Sequence, residues 1–172
     1  AIAQRFERLV DTGLEGFLVN VVQRIVVAMI FQEVAEITVF MVADRLIESL
    51  PPDVRVVFVD FHAETTSEKQ ALGFYLDGRV SAVAGTHTHV PTADERILPG
   101  GTAYITDLGM TGPRDSAIGR QLDSVIRMFK TGMRESFKIA KKDIVLEGAV
   151  LRVDYKTGRA KGIKRIREQV ES

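Results

Sequence analysis

Two consecutive prolines, Pro51 and Pro52, stand just ahead of an almost unbroken apolar run, Val54-Arg55-Val56-Val57-Phe58-Val59-Asp60-Phe61. A run of this length, rich in β-branched residues, suits a strand covered on both faces, because a half-buried strand would alternate apolar with polar. The prolines stop the preceding element, since neither can donate an amide hydrogen bond to extend a helix. Thr65-Thr66-Ser67-Glu68 then reads as a helix start with a capping box between Thr65 and Glu68. That helix is predicted to end near Asp77-Gly78, and a second apolar run, Val80-Ser81-Ala82-Val83-Ala84, is closed by Gly85. Strand, helix, strand is the repeating unit of an α/β sheet.

The flanking segments extend this plan. Residues 36–50 carry Ile37, Phe40, Met41, Ala43, Leu46 and Ile47 at helical spacing, up to the double proline. Residues 1–16 also show helical spacing, with Gly13 as a break. Residues 17–31 are rich in Val and Ile and interrupted at Gln23-Arg24, which suits a buried hairpin or, alternatively, a helix. Further on, residues 103–107 read as a short strand, 108–116 as a glycine-containing loop and 122–129 as an amphipathic helix. Residues 144–154 and 159–166 alternate around Tyr155-Lys156-Thr157-Gly158, a hairpin with Gly158 at the left-handed position. With no repeat, low-complexity tract or linker, the expectation is one domain over residues 1–172.

Composition removes several function classes. Lys plus Arg and Asp plus Glu each number 23, so no basic excess points to duplex nucleic acid. Cysteine is absent, which removes disulfides and thiolate metal sites and suits a reducing cytoplasm, the expected location. The most apolar stretch, residues 25–31, is bounded by Arg24, Gln32 and Glu33 and falls far short of the roughly 20 residues that span a bilayer. No membrane contact is expected. The first residue is Ala1, and the chain is expected to start inside a longer protein or after processing.

All three histidines fall at the ends of the two apolar runs: His62 directly after Phe61, and His87 and His89 just after Gly85-Thr86. In open α/β sheets the crevice beyond the carboxyl ends of the strands is where ligands bind. Residues two apart on extended chain point the same way, so His87 and His89 could share one metal; if the chain turns there, they could serve two adjacent ones. Neutral imidazole suits Zn, Fe and Mn. Asp60 and Glu64 flank His62 and could orient its ring. Thr86 and Thr88 are expected to satisfy local backbone groups or border a substrate, and Asp107, at a strand end, to lie near the metals. Arg114 is a loop residue expected to be solvated.

These residues, in order, resemble the calcineurin-like metallophosphoesterases, in the branch of YmdB-type bacterial phosphodiesterases. The resemblance is carried by Val57-Phe58-Val59-Asp60-Phe61-His62-Ala63-Glu64, Thr66-Ser67-Glu68-Lys69 and Gly85-Thr86-His87-Thr88-His89-Val90. It continues through Thr92-Ala93-Asp94-Glu95-Arg96-Ile97-Leu98, Gly100-Gly101-Thr102-Ala103-Tyr104 and Thr106-Asp107-Leu108-Gly109-Met110-Thr111-Gly112-Pro113. It implies an α/β fold, part of an αββα sandwich with a mixed sheet and a C-terminal β-hairpin. It also implies hydrolysis of phosphoesters, 2′,3′-cyclic nucleotides among them, at a centre of two divalent or trivalent transition metals (Fe, Mn or Zn). His62, His87 and His89 would be ligands, with the last two on different metals.

The same resemblance implies ligands that residues 1–41 do not show. The family opens with a strand ending in Asp, then a Glu-Asn pair and an Asn-His whose His is the general acid. Here Asp11 lies in a helix-like segment, Asn20 is followed by Val21, and Gln32-Glu33 stands where Gly-Arg is expected. Residues 1–41 are therefore diverged or rearranged, and no general acid is identified. The implied activity is phosphodiester or phosphomonoester hydrolysis completed by a further segment, in a homo-oligomer or with a partner chain. Two alternatives are a mononuclear zinc site of the three histidines, and a catalytically inactive assembly or regulatory module that retains the fold.

Overall fold

The run after the double proline is strand β2 (Val56–His62), and its neighbour on one side is strand β1 (Ile25–Phe31), paired in parallel with Ile25 opposite Val56 and Phe31 opposite His62. The computed structural model describes residues 25–31 and 38–170. Parallel neighbours cannot be joined by a tight turn and need a crossover, and helix α1 (Val39–Glu48) lies between these two in the chain. Of the hairpin expected over residues 17–31, the second arm is seen as the strand 25–31, which pairs in parallel with β2. Residues 17–24 and the helix expected over 1–16 lie outside the described residues.

Helix α1 starts at Thr38, whose hydroxyl accepts from the Met41 amide, and ends at Ser49, just ahead of the double proline. Helix α2 (Thr66–Tyr75) starts at Thr65 as expected, but the Thr65 side chain makes no capping hydrogen bond. The capping box is not formed; Glu68 instead places a negative charge in the first turn, where the helix dipole favours it. Strand β3 (Ala82–Thr86) pairs in parallel with β2. Gly85 does not close β3 but lies within it, against the chain of a neighbouring strand: a Cβ there would meet the Thr106 carbonyl oxygen at 1.8 Å.

Strands β4 (Arg96–Ile97) and β5 (Ala103–Ile105) complete a mixed sheet of order β1-β2-β3-β5-β4, in which only β4 is antiparallel. A second, antiparallel sheet contains β6 (Gly112–Pro113), β7 (Ile144–Val153) and β8 (Ala160–Gln169), and helix α3 (Leu122–Thr131) lies between β6 and β7 in the chain. The turn between β7 and β8 has Gly158 at φ +74°, pressed against the Arg55 carbonyl.

The burial pattern of β2 explains how the layers stack. Val57, Val59 and Phe61 point to one face, where Val39 and Ala43 of α1, Leu72 of α2 and Leu76 just after it cover them together with Val83 and Tyr104. Phe58 points to the other face, where Ala82 and Ala103 meet Ala160, Leu151 and Ile163 of the β7–β8 hairpin. Helices on a mixed sheet on a second sheet is the α/β arrangement expected, with the C-terminal hairpin in place. Strands β2, β3 and β5 run the same way, so the chain after each of them emerges at one end of the sheet.

Candidate metal centre

At that end of the sheet, Nε2 of His62 stands 3.1 Å from Nδ1 of His87. Each ring is also held from its far side. Nδ1 of His62 lies 3.1 Å from the Thr86 hydroxyl, which donates its own proton to Asp60 at 2.8 Å. Nε2 of His87 lies 2.6 Å from a Glu64 carboxylate oxygen. Asp60 thus reaches His62 through Thr86 rather than directly. Thr86 serves two side chains, His62 and Asp60.

A proton count fixes how these rings are oriented. A threonine hydroxyl carries one proton, and Asp60 takes it, so His62 must donate from Nδ1. A carboxylate only accepts, so His87 must donate from Nε2. With both rings neutral, Nε2 of His62 and Nδ1 of His87 are both acceptors, a pair of donors to a cation placed between them. Two nitrogens about 2.0–2.1 Å from one tetrahedral metal stand roughly 3.3–3.4 Å apart, close to the spacing here. Imidazoles oriented by an outer carboxylate are the usual form of a histidine metal ligand. This pair therefore fits two positions of a transition-metal coordination sphere. It does not fill one: among the described residues no group of three or more His, Cys, Asp or Glu is placed to hold a metal ion.

His89 lies two residues on, exposed, and both it and His87 have positive φ, 64° and 111°. Two non-glycine residues in this region so close together mark a backbone held by its surroundings rather than by local preference. The chain turns here, so extended-strand geometry does not aim the two rings alike. Between them, the Thr88 hydroxyl donates to the Val90 carbonyl, and the Thr88 amide donates to Asp107 at 3.0 Å.

Asp107 is buried beneath this loop and pairs with Lys69 at 2.8 Å, each side chain about 1% exposed. Burial pushes its carboxyl up, but the Lys69 ammonium and the amides of Gly109 and Thr88 outweigh that and hold it below the usual 3.8. Asp94 is similar: burial raises it, while the hydroxyls of Thr106 and Thr92 and the Thr106 amide lower it further.

Motif spacing gives Lys69 no role of its own. A signal is nevertheless present, since Lys69 shares the apolar face of α2 with Leu72 and Leu76, where a solvated lysine does not belong. Arg114 is held to Asp143 at 2.7 Å on the surface. A shallow cavity beside the histidine loop is lined by Pro91, Glu147, Gly148, Arg165, Ile166 and Arg167, and both arginines in it are paired with glutamates.

Known proteins share this arrangement of elements. A family model described as YmdB-like protein matches residues 10–166. A 2′,3′-cyclic-nucleotide 2′-phosphodiesterase of Bacillus subtilis is 53% identical over 127 residues, 74% of this chain and 48% of that protein. A putative phosphatase/phosphodiesterase of Mycoplasma pneumoniae is 50% identical over 109 residues, 63% of this chain and 39% of that one. Among solved structures, one described as a novel phosphatase of Mycoplasma pneumoniae superposes with a TM-score of 0.76 at 40% identity, over 84% of this chain and 53% of that chain. A hypothetical protein from Thermus thermophilus superposes at 0.72, also 40% identical, over 84% and 56%. The chain spans about half the length of the curated relatives it matches. No described helix is long and apolar enough to cross a membrane.

Proposed function

The chain belongs to the YmdB-like family, and from that premise we propose that its strand ends carry part of the site of a metal-dependent phosphoesterase acting on cyclic-nucleotide phosphodiesters. The observation that carries this reading is the pair of inner imidazole nitrogens, 3.1 Å apart, with the outer nitrogen of each ring already committed. The relatives named for phosphodiesterase and phosphatase activity lend the reaction class.

In this reading His62 and His87 hold one metal, and His89 belongs to a second. The metals are Fe, Mn or Zn, the ions that imidazole with carboxylate suits. When bound, they would supply Lewis acidity toward the phosphoryl oxygens and a nucleophile available at neutral pH. The chain's own groups do the preparatory work. Glu64 keeps the His87 proton on Nε2, and the Thr86–Asp60 pair keeps the His62 proton on Nδ1, so each ring presents its lone pair inward. The carboxylate and Asn ligands and the general acid of the family come from outside residues 38–170, through a further segment of chain, a partner chain or a second copy. The reaction is proposed for the cytoplasm.

The experiment joins residues 38–170 to the N-terminal part of the Bacillus subtilis relative and supplies Mn or Fe. Cleavage of a 2′,3′-cyclic nucleotide or an aryl phosphodiester is expected, and His87→Ala or His89→Ala removes it. A folded fusion that binds two metals per chain and cleaves no phosphodiester or phosphomonoester would replace this reading with that of an assembly module.

A further inference from the structure

We infer that Lys69 and Asp107 are positioning residues, a buried ion pair that sets the backbone carrying His87 and His89 by way of the Thr88 amide. The inference rests on the reading of those histidines as metal ligands, and extends it to two side chains that touch neither a ligand ring nor solvent.

The pair is a poor way to gain stability alone. Both charges are almost fully buried, and taking two charges out of water costs nearly as much as their attraction returns. What distinguishes the pair is its set of partners. Asp107 Oδ2 accepts from Lys69 Nζ and from the Thr88 amide, and Oδ1 accepts from the Gly109 amide. The backbone of Asp107 is bonded to the same loop, its carbonyl accepting from the Thr92 amide and its amide donating to the Thr92 hydroxyl. The loop is thus fastened to Asp107 at Thr88 and again at Thr92.

Thr88 is the single residue between His87 and His89, which hold φ of 111° and 64°. Such dihedrals persist where surrounding bonds over-determine them, and the Thr88–Asp107 bond is placed to do that. Lys69 supplies the other end. It lies in α2, whose first residue is two after Glu64, so one ion pair ties the segment bearing His62 and Glu64 to the loop bearing His87 and His89. Gly85 leaves room for the lysine stem, since a Cβ there would meet Lys69 Cδ at 2.8 Å.

The test uses the 172-residue chain and the Lys69→Met/Asp107→Leu double variant, which replaces the pair with apolar groups of similar shape. Amide exchange is followed by NMR, together with imidazole ¹⁵N shifts, which report the tautomer of each ring. In the double variant the Thr88 and Gly109 amides should exchange about 10–100-fold faster, the worth of a hydrogen bond to a charged acceptor. The fixed tautomer of His87 should average, while that of His62, held within the sheet by Thr86 and Asp60, is retained and Val59 and Val83 stay protected. If Thr88 and the His87 ring are unchanged in a folded double variant, or if protection falls equally across the sheet, the inference is wrong. Should the double variant not fold, Asp107→Asn is read by the same criteria. A Co²⁺ titration followed by visible absorption separates the two ideas. Run on the fusion of residues 38–170 to the N-terminal part of the Bacillus subtilis relative, which restores the missing ligands, a titration without Co²⁺ uptake counts against the metal reading, while exchange and tautomers in the 172-residue chain still decide the positioning role. If Co²⁺ binds, the double variant should bind about 10–100-fold more weakly.

Discussion

Gly85→Ala should be among the most damaging small substitutions available in this chain. Gly85 does not have positive φ, so the substitution is not penalised by backbone dihedral preference. The penalty is one of distance. The new Cβ would sit 1.8 Å from the Thr106 carbonyl oxygen, and real Cβ contacts do not fall below 3.0 Å, so β3 and the chain after β5 must part by about 1.2 Å. The atom in the way is backbone and cannot rotate aside. Parting the chains breaks the bond from the Leu108 amide to the Gly85 carbonyl, now 2.9 Å, and stretches the pairing of Ala84 with Ile105. Overpacking a close-packed interior costs about 1–3 kcal/mol. Each backbone hydrogen bond lost adds roughly 0.5–1.5 kcal/mol. With that one bond lost the sum is about 1.5–4.5 kcal/mol, a large part of the ~5–15 kcal/mol that holds a domain of this kind together. Urea denaturation followed by circular dichroism reads it directly. A variant that unfolds within ~0.5 kcal/mol of wild type, the range of an ordinary surface change, would refute the account of why glycine is required there.

Acid should unfold the chain through Asp94 and Asp107. Both carboxyls are held below 3.8, so their stabilisation is fully present above that pH and is lost as pH falls through the folded values; thermal melts should stay level from neutral down to about pH 5 and fall below about pH 4. Asp107→Asn should flatten that fall, and an unchanged acid limb in the variant would assign it elsewhere. Glu64→Gln should weaken Co²⁺ binding at the His62–His87 pair by about tenfold, the lower end for a residue that only orients a ligand, because Glu64 is largely exposed. Arg114→Ala should cost no more than about 1 kcal/mol in the same urea assay, since the pair it forms with Asp143 is solvent-facing on the arginine side.

The features legible in the sequence are those with one-dimensional signatures. The apolar run into His62, the run into Thr86 and the turn at Gly158 each announce themselves within a few residues, because burial on two faces and a left-handed corner restrict residue type locally. The partner of β1 is not legible. A Val- and Ile-rich stretch does not say which strand it lies beside, and its parallel pairing with β2 depends on the crossover through α1. The capping box fails for a related reason: Thr65 has the right identity and position, but the rotamer that would bond it to the first turn is a matter of local three-dimensional contacts.

At the site the division falls between atoms of the same ring. That histidines stand at adjacent strand ends follows from order along the chain plus parallel topology, since β2 and β3 run the same way and their ends must lie side by side. Which nitrogen of each ring faces inward does not follow. It depends on Thr86, 24 residues from His62, and on Glu64, 23 residues from His87, meeting them across the crevice. The proton on Thr86 is committed to Asp60, and that fixes the tautomer of His62. The direction of a lone pair, and with it the capacity to hold a cation, is therefore set by a hydroxyl that motif spacing would assign to the backbone. Residues of this kind are found by counting protons once partners are known. Lys69 is found in the same way, as a charge on an apolar face whose answer in the fold is the carboxylate beneath the histidine loop.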